Sequence, residues 1–132
     1  MSTFQDIDID LIDPHPGNPR RDVGDVTELA DSIRSQGIRQ NLLLVPHPDV
    51  QGRYRVIIGH RRLAAAKHAG VDQVPAVVDE DLTDTQQLEL MLVENLQRVD
   101  LTPVEEARGY QEMLDLGVKV RDVVKRTGRS EK

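Results

Sequence analysis

The chain has 132 residues, a formal charge of −6, 38% hydrophobic and 2% aromatic content, and no cysteine. That length accommodates one domain of ordinary size, or one domain with a small appendage. The scarcity of aromatics argues against a single-strand nucleic-acid binder built on base stacking, and the lack of cysteine excludes disulfides, thiolate zinc sites and thiol catalysis.

Ile7–Leu11 alternates apolar and polar residues as a half-buried strand does. Asp13-Pro14-His15-Pro16-Gly17-Asn18-Pro19-Arg20 carries three prolines, so it predicts a stiff, extended loop rather than a helix or a central strand. Asp25 with Glu28 three residues on predicts a capped helix; Leu29, Ala30 and Ile33 form its apolar stripe and Gly37 its end. Leu42–Val45 and Tyr54–Ile58 are predicted strands. Gly59 breaks the second, Arg61–Ala69 reads as an Ala-rich helix closed by Gly70, and Val74–Val78 as a strand with its proline near the start or at an edge. Beyond residue 83 the pattern is helical: Thr83 with Gln86 makes one cap, and Leu88, Met91, Leu92 and Leu96 give a stripe of helical period. Thr102 as N-cap, Pro103 at N1 and Glu105 at N3 start a second helix, which runs to Gly117. A third, over about 118–126, leads into Thr127-Gly128-Arg129-Ser130.

These elements predict an α+β fold: a small mixed sheet with helices over residues 1–100, then an all-helical segment over 101–132 that begins a helix-turn-helix. Ser130 would cap a helix whose residues are not in the chain, which gives the end the look of a cut. No apolar run approaches the ~20 residues of a membrane helix, and the N-terminus lacks a basic start followed by an apolar stretch, so the chain reads as cytoplasmic without a membrane partner. Charge is uneven. Residues 119–132 hold Lys119, Arg121, Lys125, Arg126, Arg129 and Lys132 against Asp122 and Glu131, while the rest is acidic.

Two constellations carry chemistry. Val56-Ile57-Ile58-Gly59-His60-Arg61-Arg62 takes a strand through glycine into a helix start, where the dipole favours an anion and two arginines add forked donors. Surface ion pairing within an acidic body is the plainer reading of the same arginines. Glu94 and Asn95 offer hard oxygens of the kind Mg²⁺ takes beside phosphates, or simply a polar helix end. There is no Gly-rich loop ending in Lys-Ser or Lys-Thr, so a P-loop site is excluded. The four histidines have no metal-ligand spacing, and only His60 occupies a suspect position.

In this order the segments resemble the N-terminal region of the ParB partition family, over roughly residues 7–132. Asn18-Pro19-Arg20 is similar to its Gln-Pro-Arg loop, Ser32–Gln40 to its Ser-Ile-x-x-x-Gly-x-x-Gln helix end, and Gly59-His60-Arg61-Arg62 to its Gly-Glu-Arg-Arg box. Glu94–Ala107 resembles its Glu-Asn-Leu-Gln-Arg box and the Asp-Leu-x-Pro-x-Glu-Glu-Ala stretch after it. The resemblance implies a CTP-binding clamp. Gly59, His60, Arg61 and Arg62 would hold the triphosphate, with Arg20 from the loop, and Ala65 would belong to the nucleotide site. Glu94 and Asn95 would hold Mg²⁺, and Gly37 to Gln40 would lie beside the cytidine. Nucleotide would drive two N-terminal domains into a homodimer around double-stranded DNA at a centromere-like site, with a ParA-type ATPase as further partner. Arg126, Arg129, Ser130 and Lys132 would lie toward the DNA at the start of the truncated helix-turn-helix.

Two positions depart from the family pattern. His60 stands where a glutamate associated with hydrolysis is usual, and Asn18 is one methylene shorter than the loop glutamine. Both remain candidate catalytic residues, and the departures predict a triphosphate that is bound well and turned over slowly or not at all. A regulator with a vestigial pocket and a small-molecule kinase on the same scaffold are the alternatives; the kinase does not account for the basic tail.

Overall fold

The computed structural model describes residues 2–19, 24–98 and 100–117. The chain divides into two compact units, 1–82 and 83–132. The expected division at residue 100 falls inside the second. The predicted helix at 118–126, with Arg126, Arg129, Ser130 and Lys132, lies outside the described residues, as does Arg20.

The first unit is built on β1 (Ser2–Asp8), β2 (Ile12–Pro14), β3 (Leu42–Pro46), β4 (Tyr54–Ile58) and β5 (Gln73–Asp79), with α1 (Thr27–Gln36) and α2 (His60–Ala69). The strands form one sheet in the order β1-β5-β3-β4-β2. Two of its pairings, β1 with β5 and β3 with β4, are antiparallel; β3 with β5 and β2 with β4 are parallel. The α+β class expected from the sequence is therefore present as a mixed five-stranded sheet with helices.

Three local expectations are corrected. The strand expected at Ile7–Leu11 ends at Asp8, and Ile9–Leu11 is a single 3₁₀ turn that carries the chain from one sheet edge to the other. Asp13 and Pro14 belong to the short edge strand β2, where a missing N–H is tolerated, and the loop begins only at His15. Helix α1 starts at Thr27 without a side-chain cap; Asp25 accepts instead from the Thr27 amide at 2.9 Å and from its hydroxyl at 2.6 Å. As expected, Pro75 sits near the start of its strand; β5 is an inner strand, and its pairing with β3 begins at Ala76, one residue later.

Every second residue of β5 (Val74, Ala76, Val78) joins Leu42 and Leu44 of β3, Val56 of β4 and Ile7 of β1 on one sheet face. Ala30 and Ile33 of α1 and Leu63, Ala65 and Ala66 of α2 pack against them. Small alanines here let α2 lie close to the sheet. The pairing of Leu43 with Ile58 and Leu44 with Val56 leaves Ile57 as an extra residue, a bulge just before Gly59.

The second unit contains α3 (Asp84–Leu96) and α4 (Pro103–Asp115). Both expected capping boxes are formed: Thr83 with Gln86, and Thr102 with Glu105 behind Pro103. Leu92, Leu96 and Met113 are its buried centre. Gly109 is a close-approach position, because a Cβ there would lie 2.5 Å from Leu96 Cδ2. Among the described residues no helix is long and apolar enough to cross a membrane.

Candidate functional site

The bulged end of β4 delivers the chain into α2 through Gly59, whose φ of 109° only glycine adopts readily. A Cβ at Gly59 would lie 2.3 Å from Leu42 Cδ2, so conformation and space both demand glycine. The first intrahelical bond runs from the Leu63 amide to the Gly59 carbonyl at 2.8 Å. The positive end of the helix dipole therefore falls at His60–Arg62, and the first turn holds no acidic residue to neutralise it.

The two arginines reach opposite ends of α1. Arg61 Nη2 donates to the Asp25 carbonyl at 3.0 Å, just before that helix, and Arg62 donates to the Gln40 side-chain oxygen, just after it. Neither of these two acceptors is a carboxylate. Gly37, with φ 74°, ends α1 and turns the chain toward Gln40. A cleft of about 210 Å³ opens there. Leu29, Ile33 and Ile38 form its apolar wall, and Ser32, Gly37, Arg39, Gln40 and Arg62 its polar one. An apolar pocket with a few convergent polar groups is the usual form of a small-molecule site.

His60 is not on the surface. It is 8% exposed, and its Nε2 accepts the His15 backbone amide at 3.3 Å. Burial, with the nearby His15 adding to it, pushes the imidazole down to about 4, so it is neutral at pH 7. The strand just before the loop is fastened by Arg53, whose Nε and Nη2 reach the two Asp13 oxygens at 3.0 and 2.8 Å. That guanidinium holds the Asp13 carboxyl below the usual carboxylate range. Asn18 is half-buried in the same loop, its amide on the His15 carbonyl at 3.1 Å.

Ala65 is fully buried, its side chain packed in the helix–sheet core. Glu94 and Asn95 are half-buried near the end of α3, in the second unit. Asn95 Oδ1 already accepts from Arg98 Nη1 at 3.1 Å. Arg98 in turn spans Asp100 with two bonds, at 3.0 and 3.1 Å, and reaches Glu105 at 3.5 Å. Among the described residues no group of three or more His, Cys, Asp or Glu is gathered as a metal cage. The sequence reading missed Arg98; an arginine three residues after the asparagine was the available signal. Thus Gly37, Gln40, Gly59, His60, Arg61 and Arg62 gather in the first unit, while Glu94 and Asn95 belong to the second.

The sequence profile of the ParB N-terminal domain matches residues 1–96. The chain is 50% identical over 121 residues to the chromosome-partitioning protein Spo0J of Thermus thermophilus, covering 90% of this chain and 44% of that one. It is similar, at TM-score 0.83 and 32% identity, to a crystal structure of C-terminally truncated chromosome-partitioning protein ParB from Caulobacter crescentus complexed to the centromeric parS site. That likeness covers 96% of this chain and 65% of the other. The Caulobacter protein complexed with CTP-γ-S matches at TM-score 0.67 and 35% identity, over 97% and 72% of the two chains. The chain spans less than half the length of the curated relative.

Proposed function

The chain belongs to the ParB N-terminal domain family, and from that premise we propose that it is the CTP-binding part of a nucleotide-gated DNA clamp of partition type. The observation that carries the reading is the bond from Arg62 to Gln40, which joins the positive start of α2 to the cleft at the end of α1. A triphosphate at Gly59–Arg62 places its base toward Gly37–Gln40, where apolar walls and backbone groups receive a flat pyrimidine. The Caulobacter relative that was complexed with CTP-γ-S supports this choice of ligand.

Glu94 and Asn95 supply hard oxygens suited to Mg²⁺, which takes one or two protein ligands and completes its shell with phosphate and water. An ion held there would supply positive charge of the kind that phosphate needs. The Asn95 oxygen accepts one bond from Arg98 and keeps a second lone pair, so these residues fit the ion as ligands. The relative complexed to parS supports double-stranded DNA as partner. Nucleotide-dependent pairing of two copies and engagement by a ParA-type ATPase complete the reading. Turnover is slow, because a buried neutral imidazole at His60 cannot act as a carboxylate.

Calorimetry with each nucleoside triphosphate and Mg²⁺ tests this. CTP is expected to bind, and Arg62→Ala to weaken it by roughly thirtyfold. Equal affinity for all four triphosphates, or an Arg62→Ala chain that binds CTP like its parent, would contradict the reading.

A further inference from the structure

We propose that His60 is a positioning residue: its imidazole accepts the His15 amide and thereby fixes the Asn18-bearing loop against the start of α2, a role that rests on the nucleotide site proposed above. A backbone N–H can only donate, so Nε2 is the bare nitrogen and Nδ1 carries the proton. Nδ1 is buried and, among the described residues, has no hydrogen-bond partner. Buried donors are rarely left unpaired; here the ring leaves one so in order to keep its acceptor toward the loop. The acceptor is likewise drawn into the protein, since so little of His60 reaches the surface.

Pro14 and Pro16 have no amide to donate. The His15 ring is itself engaged, its Nδ1 accepting the Gly17 amide at 2.9 Å, and its carbonyl accepts the Asn18 amide at 3.1 Å. The chain of contacts therefore runs from His60 to the His15 amide, and through His15 to Gly17 and Asn18. Arg53 holds Asp13 in β2, just before the loop, and His60, 45 residues from His15 in sequence, anchors the loop itself. Its position as the first residue of α2, beside Arg61 and Arg62, ties that anchor to the helix start where phosphate binds.

Three variants separate anchoring from direct contact. In His60→Gln the side-chain oxygen reaches the place of Nε2 and accepts; in His60→Asn it stops at the place of Nδ1; in His60→Leu there is no acceptor. Amide exchange followed by NMR without nucleotide should show His15 protected in the parent and in Gln, and exchanging roughly tenfold faster in Asn and Leu. Calorimetry with CTP and Mg²⁺ should follow the same division, Gln near the parent and Asn and Leu weaker by roughly tenfold. Ring ¹⁵N shifts should report a neutral imidazole protonated at Nδ1. Asn retains a polar side chain, so it stands in should the Leu chain fail to fold. Unchanged His15 protection in both Asn and Leu, or an Nε2–H tautomer, overturns the proposal. So does a Gln chain that keeps His15 protected yet loses CTP as fully as Leu, which means direct contact with the ligand. A parent chain that binds no CTP while His15 stays protected overturns the nucleotide reading instead.

Discussion

Two arginine sites in this chain have opposite electrostatic designs. At the start of α2, Arg61 and Arg62 are held by a backbone carbonyl and a carboxamide, and the helix dipole adds positive charge in the absence of any acid in the first turn. Between α3 and α4, Arg98 is enclosed by Asp100, Glu105 and the Asn95 oxygen, and its charged form is stabilised by those carboxylates, Asp100 foremost. The first site sets Arg62 on a neutral carboxamide at the positive end of a helix dipole and suits an anion. The second is locally neutralised and suits a structural role until something competes for Asn95. Counting arginines alone would not have told them apart; their acceptors do.

The largest expected effect tests how rigidly the first site is built. Gly59→Ala introduces a Cβ into the Leu42 side chain at a φ that alanine avoids, and should cost about 3 kcal/mol in urea denaturation. A loss below ~1 kcal/mol would mean that the helix start is not held where the geometry puts it.

The next effect falls on binding. Arg62→Ala should weaken CTP by about 2 kcal/mol, the scale of a charge-assisted hydrogen bond, while changing stability little. If stability falls more than affinity, Arg62 is structural and the contrast with Arg98 collapses.

Acid sharpens the contrast further. His60 titrates at about 4 when folded and near its ordinary 6.5 when unfolded, so the unfolded chain takes up the proton first. The stability this residue contributes is complete above pH 6.5 and is lost as pH falls toward 4. Between pH 7 and pH 5 the parent should therefore lose about 2 kcal/mol more than His60→Gln, measured by denaturant titration at each pH. Equal losses would show that the imidazole is not buried in its neutral form.

The smallest effect belongs to the neutralised site. Arg98→Met should cost about 1 kcal/mol, since the carboxylates it leaves are partly in water, and CTP affinity measured without Mg²⁺ should hardly change. A large loss of nucleotide affinity in that assay would place positive potential where the structure shows it cancelled.

Local chemistry was legible in the sequence. The capping boxes at Thr83 and Thr102, the strands β3 and β4, and glycines ending α1 and α2 depend on residues within a turn of one another. What depends on distant partners was not. Ser2–Asp8 is a strand because β5 pairs with it residue by residue, and the alternation at Ile7–Leu11 gave no hint of where pairing stops. The bulge at Ile57 is a matter of register between two strands. In the site, Gly59 and the arginines were visible as a glycine-broken strand leading into a helix. Their acceptors were not, because Gln40 lies a hairpin away from Arg62, and Asp25 a helix and a hairpin away from Arg61. His60 was singled out for a departure from the family pattern, yet its burial and its hold on His15 are tertiary facts.

The bracing of α1 at both ends has a consequence for measurement. Any ligand that takes the guanidinium groups of Arg61 and Arg62 from Asp25 and Gln40 exchanges hydrogen bonds instead of adding them. The heat released on binding will then fall short of what a tally of contacts in a complex suggests. The balance will appear as loosened or re-formed amides at 24–26 and 37–41, so that α1 acts as the reporter of an event that takes place on α2.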